Sequence, residues 1–123
     1  MRMMLVGAGA VGESILKVMK WRDPKGEWLE YVLVCDFDQN RAQEVVEKLG
    51  KDCRFEAAEV NATDKEAMMR LALMHQIDFL MDAAPPFASN YIFDAAYETG
   101  INYGNMGTWS VPMDHPAYGL GIE

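Results

Sequence analysis

The sequence predicts an α/β fold: a doubly wound parallel sheet of about five strands with helices on both faces. Three observations carry that expectation. Short apolar runs alternate with amphipathic helical stretches along the chain, the texture that right-handed βαβ crossovers produce. The first apolar run, Met3-Met4-Leu5-Val6, leads straight into a glycine turn, Gly7-Ala8-Gly9-Ala10-Val11-Gly12. The second, Val32-Leu33-Val34-Cys35, ends in an acid, Asp36. At 123 residues the chain is long enough for one domain that buries most of its apolar surface.

Taken in order, Arg2 to Val6 reads as a strand and Val11 to about Lys20 as a helix, with Val11, Ile15, Val18 and Met19 on one face. Trp21 to Glu30 interrupts the pattern with Asp23-Pro24-Lys25-Gly26, a longer connection than most α/β units use. Its tryptophans, Trp21 and Trp28, are expected to cover an edge of the sheet, the other reading being a partner surface. Tyr31 to Cys35 is the second strand. Asp38 then caps a helix from about Gln39 to Leu49, closed by Gly50. Arg54 to Glu59 is the third strand. Thr63 or Asp64 opens a helix that runs to about Met74, with Met68, Leu71, Ala72 and His75 sharing a face. Ile77 to Met81 forms the fourth strand. Beyond the stiff turn Ala83-Ala84-Pro85-Pro86, a helix covers Ser89 to Thr99, with Gly100 at its C′ position, and Ile101 to Tyr103 is a short fifth strand. Residues 1–107 thus form the domain. Residues 108–123, rich in proline, glycine and aromatics, form an irregular tail that either wraps back on the domain or starts a missing or truncated one.

Composition narrows the partners. Eleven basic residues against nineteen acidic ones give a net charge of −8, which disfavours nucleic acid, since phosphate backbones are bound by concentrated Lys and Arg. No apolar run is long enough to span a bilayer, and Met1-Arg2-Met3 enters a strand without a signal-peptide pattern. A cytoplasmic protein with no membrane partner is expected. Cys35 closes one predicted strand and Cys53 opens the next, so both read as packed thiols rather than as a disulfide or metal pair. His75 and His115 stand far apart in sequence, and no metal site is expected.

In an open parallel sheet, ligands lie beyond the carboxyl ends of the strands. The segments landing there are Gly7–Gly12, Asp36–Asp38, Val60–Asp64, Ala83–Phe87 and Gly104–Gly107. A strand, a Gly-x-Gly-x-x-Gly turn and a helix, in that order, suit a dinucleotide pyrophosphate in a Rossmann-type fold. Gly7 permits the tight turn, Gly9 lets backbone approach the phosphates, and Gly12 lets the helix pack on its strand. The first helical N–H groups then face the anion. Asp36 can accept hydrogen bonds from both hydroxyls of the adenine ribose and would repel a 2′-phosphate. Phe37 follows it in place of an arginine, and Arg41 sits further on in a helix, so NAD is expected over NADP. Asn61 can reach the adenine edge, and the small, rigid Ala84, Pro85 and Pro86 let the nicotinamide half pass. No nucleophile, base and orienter stand together, and catalytic residues are not assigned; hydride transfer is carried by the cofactor.

Further blocks are more specific than the glycine turn: Val60-Asn61-Ala62-Thr63-Asp64, Pro86-Phe87, and Asp94-Ala95-Ala96-Tyr97-Glu98-Thr99-Gly100-Ile101-Asn102-Tyr103. Over residues 2 to about 107 the chain resembles the N-terminal nucleotide-binding domain of saccharopine dehydrogenase-like oxidoreductases. The resemblance implies a nicotinamide cofactor and chemistry at an amino-acid-like C–N bond. It also implies a following substrate domain, a small amino-acid-like substrate for the full-length protein, and a cofactor domain that binds without turning anything over. Carried across, the backbone of Ala8, Gly9, Ala10, Val11 and Gly12 would hold the pyrophosphate and Asp36 the ribose. Asn61 and Ala62 would flank adenine, and Ala84 to Pro86 would border the nicotinamide. Three departures stand out: Asp36-Phe37 replaces a Ser-Arg suited to NADP, Pro85 replaces a glycine, and Gly104-Asn105 stands where an acid commonly follows Tyr103. The alternative is a regulatory nucleotide-sensing module similar to those of potassium transport systems, which lack the Pro86–Tyr103 block. A third reading is an S-adenosylmethionine-binding domain. A homodimer is conceivable through the apolar tail.

Overall fold

A computed structural model describes residues 1–106. Five parallel strands, β1 (Arg2–Val6), β2 (Tyr31–Asp36), β3 (Phe55–Glu59), β4 (Phe79–Asp82) and β5 (Asn102–Asn105), form one sheet in the order β3-β2-β1-β4-β5. The helices are α1 (Ala10–Arg22), α2 (Gln39–Lys48), α3 (Lys65–Met74) and α4 (Ser89–Thr99). The strand order reverses between β1 and β4, which opens a crevice above their carboxyl ends.

Two-residue alternation along the strands divides the core. Met3 and Leu5 of β1 join Val32 and Val34 of β2 under Leu16 of α1 and Ala42 and Val45 of α2. Met4, Val6, Leu33 and Cys35 turn to the other face, under Met68 and Ala72 of α3 and Ile92, Ala95 and Ala96 of α4. Because both faces are covered, the central strands read as unbroken apolar runs.

The helix ends follow local chemistry. Asp38 accepts from the Asn40 N–H at the start of α2, and Asp64, rather than Thr63, accepts from the Ala67 N–H at the start of α3. Gly100 closes α4 with φ 75°, and the Ile101 N–H reaches back to the Ala96 carbonyl at 3.0 Å, as in a left-handed helix stop. His75 lies in the expected register, stacked on Tyr31.

Four expectations are corrected. The predicted apolar stripe of α1 holds only in part: Ile15 and Met19 are part-buried and pack against the core, but Val11 and Val18 are half exposed, and the fully buried residues are Gly12 and Leu16. Contact between Gly12 and the backbone of β1's exit turns the helix to that face. Trp21 is 78% exposed, Trp28 is 43% exposed, and neither packs on the core. Leu29 fills that place instead, held by buried Asp23, whose carboxylate accepts the N–H groups of Glu27, Trp28 and Leu29 at 2.7–2.9 Å. Burial opposes ionisation of Asp23, but those donors and the Arg54 guanidinium outweigh it and hold the carboxyl below its ordinary value. Cys53 is exposed, since β3 begins at Phe55; only Cys35 is a packed thiol. The fourth and fifth strands each start later and run further than expected, to Asp82 and Asn105. The tail at 108–123 lies outside the described residues. No helix among the described residues is long and apolar enough to cross a membrane.

Glu13, in the first turn of α1, ties that helix to α2: its carboxylate meets Lys17 at 2.9 Å, Arg41 at 3.2 Å and Lys48 at 3.3 Å. Hydrogen bonds from Lys17 and then Lys48 lower its pKa from 4.5 to about 2. A lowered folded-state pKa contributes stability that is full above the unfolded value and lost as pH falls towards the folded one. Glu13→Gln should therefore be less stable than the parent at pH 6, with the difference shrinking between pH 4.5 and 2. Denaturant melts of both proteins across that range measure it.

Candidate functional site

The turn after β1 is built from backbone. Gly7 has φ +107°, and a Cβ there would lie 2.6 Å from the Ala83 carbonyl carbon and oxygen. A Cβ on Gly12 would lie 2.0 Å from the Gly7 oxygen. Both positions demand glycine for close approach. Gly9 differs: a Cβ there would meet nothing within 4 Å. It is the N-cap of α1, has no side-chain cap, and its carbonyl starts the helix by accepting the Glu13 N–H at 2.9 Å. The N–H groups of the first turn of α1 thus open on free space beside Gly9, a cradle that suits a phosphate-sized anion.

Asp36 closes the other side. Its Oδ2 accepts the Ala8 N–H at 2.8 Å and its Oδ1 the Asp38 N–H at 3.0 Å. These bonds fix the carboxylate against the glycine turn, and they also occupy the Ala8 donor, which the sequence reading had given to phosphate. Each carboxylate oxygen keeps a further lone pair for a ligand hydroxyl. Arg41 is engaged with Glu13 and with Glu44 at 3.3 Å, so its charge is already paired. Beneath the rim, burial and then the neighbouring Asp36 push the Cys35 thiol up to about 12, which leaves it inert at neutral pH.

A groove of about 750 Å³ runs over these residues. Gly7, Gly9, Ala10, Val11, Asp36, Phe37, Asn61, Ala62, Ala84, Pro85 and Pro86 all line it. Ala8 and Gly12 do not; both are buried beneath it. Asn61 Oδ1 accepts from the Thr63 N–H and hydroxyl at 2.9 and 2.8 Å, an Asx turn that leaves its amide N–H₂ group for the groove. A second cavity of about 540 Å³ adjoins the first across Phe37, Val60 and Asn61 and extends to Arg70 and Met74 of α3. Phe87 and Met106 line the groove from the rim segments expected there, though neither was singled out, and Asp82 escaped the sequence reading. Asp82 alone had a usable signal, as a second acid ending an apolar run next to small residues.

A family model described as the saccharopine dehydrogenase NADP binding domain matches residues 3–118. The chain belongs to that family. No curated protein matches it in sequence. Among solved structures, it superposes on apo saccharopine dehydrogenase (L-Glu forming) from Saccharomyces cerevisiae with a TM-score of 0.71 at 17% identity, over 89% of this chain and 22% of that one. dTDP-glucose 4,6-dehydratase from Bacillus anthracis in complex with NAD gives 0.69 at 11% identity, over 94% and 43%. UDP-glucose-4-epimerase from Stenotrophomonas maltophila with bound NAD gives 0.65 at 19% identity, over 82% and 34%. The chain therefore spans less than half the length of these proteins, and the likeness establishes a shared Rossmann-like fold.

The three glycines should separate on substitution. Gly12→Ala forces Cβ into backbone and should cost at least about 1–3 kcal/mol, the usual penalty of overpacking. Gly9→Ala meets no neighbour and should change stability by less than about 1 kcal/mol. Chemical denaturation of the two variants against the parent decides this.

Proposed function

We propose that this saccharopine dehydrogenase-type nucleotide-binding domain takes NAD in preference to NADP, as the cofactor domain of a longer oxidoreductase acting on an amino-acid-like C–N bond. The observation that carries the reading is the pairing of an open, uncapped glycine turn with a fixed carboxylate 2.8 Å from its backbone. A diphosphate fits over Gly9 and the first N–H groups of α1, where partial positive charge meets it. Ribose hydroxyls donate to the remaining lone pairs of Asp36. Adenine lies by Phe37, Asn61 and Ala62, and the nicotinamide half by Ala84, Pro85 and Pro86.

Preference for NAD follows from charge. A 2′-phosphate brings nearly two negative charges towards a carboxylate that backbone donors hold in place, and Arg41 is committed elsewhere. When bound, the nicotinamide supplies hydride transfer; this chain's residues bind and orient it. The short share of each longer structural relative supports a separate substrate-binding region, without which the domain binds cofactor but does not turn over. The thiols of Cys35 and Cys53, both unpaired by a disulfide, suit a reducing cytoplasm.

Calorimetric titration tests the reading. NAD should bind at least about tenfold more tightly than NADP, the scale of one charge contact near a surface. Asp36→Ser should narrow that gap mainly by weakening NAD. Equal affinities in the parent, or a gap that survives the substitution, would remove the assigned role of Asp36.

A further inference from the structure

Asp82 ends β4 with 1% of its surface exposed. Its Oδ1 accepts the Ala84 N–H at 3.0 Å, and its Oδ2 accepts the Tyr103 hydroxyl at 2.8 Å and the Asn105 Nδ2 at 3.2 Å. Its main-chain carbonyl accepts the Met106 N–H at 3.1 Å. One residue therefore ties the Ala84–Pro86 turn to the exit of β5, and both segments wall the groove. Asn105 Nδ2 also reaches the Tyr103 hydroxyl at 2.7 Å and Ser89 Oγ at 3.3 Å, so the cluster interlocks. Burial, with the Asp82 carboxylate adding to it, raises the Tyr103 phenol well above its ordinary range, and it stays a donor.

A buried carboxylate without a countercharge is tolerated only where donors surround it. Among the described residues, the donors on Asp82 are all neutral: a backbone amide, a phenol and a carboxamide. That makes residue 105 dependent on residue 82. An acid at 105 would bring two carboxylates within about 3 Å of each other in a partly buried site, where like charges are costly. An amide there supplies a donor instead.

We propose that Asp82 and Asn105 are a matched carboxylate–amide pair that sets the Ala84–Pro86 and Met106 wall of the groove. They are positioning residues for cofactor binding, and the proposal rests on the dinucleotide reading above. The pair should tolerate exchange of its members. In the Asp82→Asn, Asn105→Asp double variant, the amide at 82 accepts from Ala84 and donates to the acid at 105. The Tyr103 hydroxyl, already 2.7 Å from residue 105, turns to that acid.

The test uses the 123-residue chain as parent, both single variants and the double variant. Amide hydrogen exchange at Ala84 and Met106 is read by NMR without ligand, and NAD affinity by calorimetry. Asn105→Asp should speed exchange at both amides and weaken NAD, each by about tenfold, with Asp82→Asn acting in the same direction. The double variant should return both readouts to within about threefold of the parent. Losses that simply add in the double variant would overturn the pairing. Exchange that responds while all four proteins bind NAD equally would overturn the positioning role and leave a structural one. Should Asn105→Asp fail to fold, Asp82→Asn against the double variant carries the comparison. Should the parent bind no NAD, the dinucleotide reading fails, and the exchange rates still decide the pair.

Discussion

The Gly7 oxygen lies 2.0 Å from where a Cβ on Gly12 would stand, and the Ala83 carbonyl 2.6 Å from where one on Gly7 would. Three backbone segments, the exit of β1, the first turn of α1 and the exit of β4, therefore meet with no side chain between them. That contact sets the direction of α1, and so the direction of its uncapped N–H groups. It also brings the Ala83–Pro86 turn against the glycine turn, which makes the two into opposite banks of one groove. Larger residues at either glycine would separate the banks before they altered any group that touches a ligand.

Two acids stabilise the banks from opposite sides. Asp36, at the end of β2, holds the glycine turn through Ala8, and Asp82, at the end of β4, holds the facing turn through Ala84. They differ in surroundings. Asp36 is part-exposed and keeps acceptor capacity facing the groove, whereas Asp82 is buried and spends its lone pairs on the protein. The same residue type at equivalent strand ends thus keeps acceptor capacity on the groove in one case and spends it on the scaffold in the other, with solvent access making the difference.

Much of this was legible in the residues. Capping acids Asp38 and Asp64, and Gly100 with its positive φ, bounded α2, α3 and α4 because each acts within four residues of itself. Strand alternation and the glycine turn located the groove. What escaped reading depends on contacts across the fold. Val11 and Val18 look like part of a buried face with Ile15, but the backbone contact at Gly12 turns Leu16 inward and leaves them half exposed. Trp21 and Trp28 look like covering residues until Asp23, between them in the chain, and Arg54, distant in sequence, bring Leu29 into the core. The amide at Asn105 reads in the sequence only as part of a departure from a pattern with an acid after Tyr103. It becomes intelligible only once Asp82 is seen 3.2 Å away.

The family description names NADP, and the charge distribution of this chain pulls the other way. Arg70, at the far end of the adjoining cavity, is the cation that lines it among the described residues. It is an exposed arginine on a helix, free to turn towards or away from an incoming charge. Asp36 has no such freedom, since two backbone N–H groups hold its oxygens. Attraction by a mobile side chain is weakened by the entropy of ordering it, while repulsion from a fixed carboxylate is felt in full. On the proposed reading, discrimination at the ribose is set by the group that cannot move, and that group is negative.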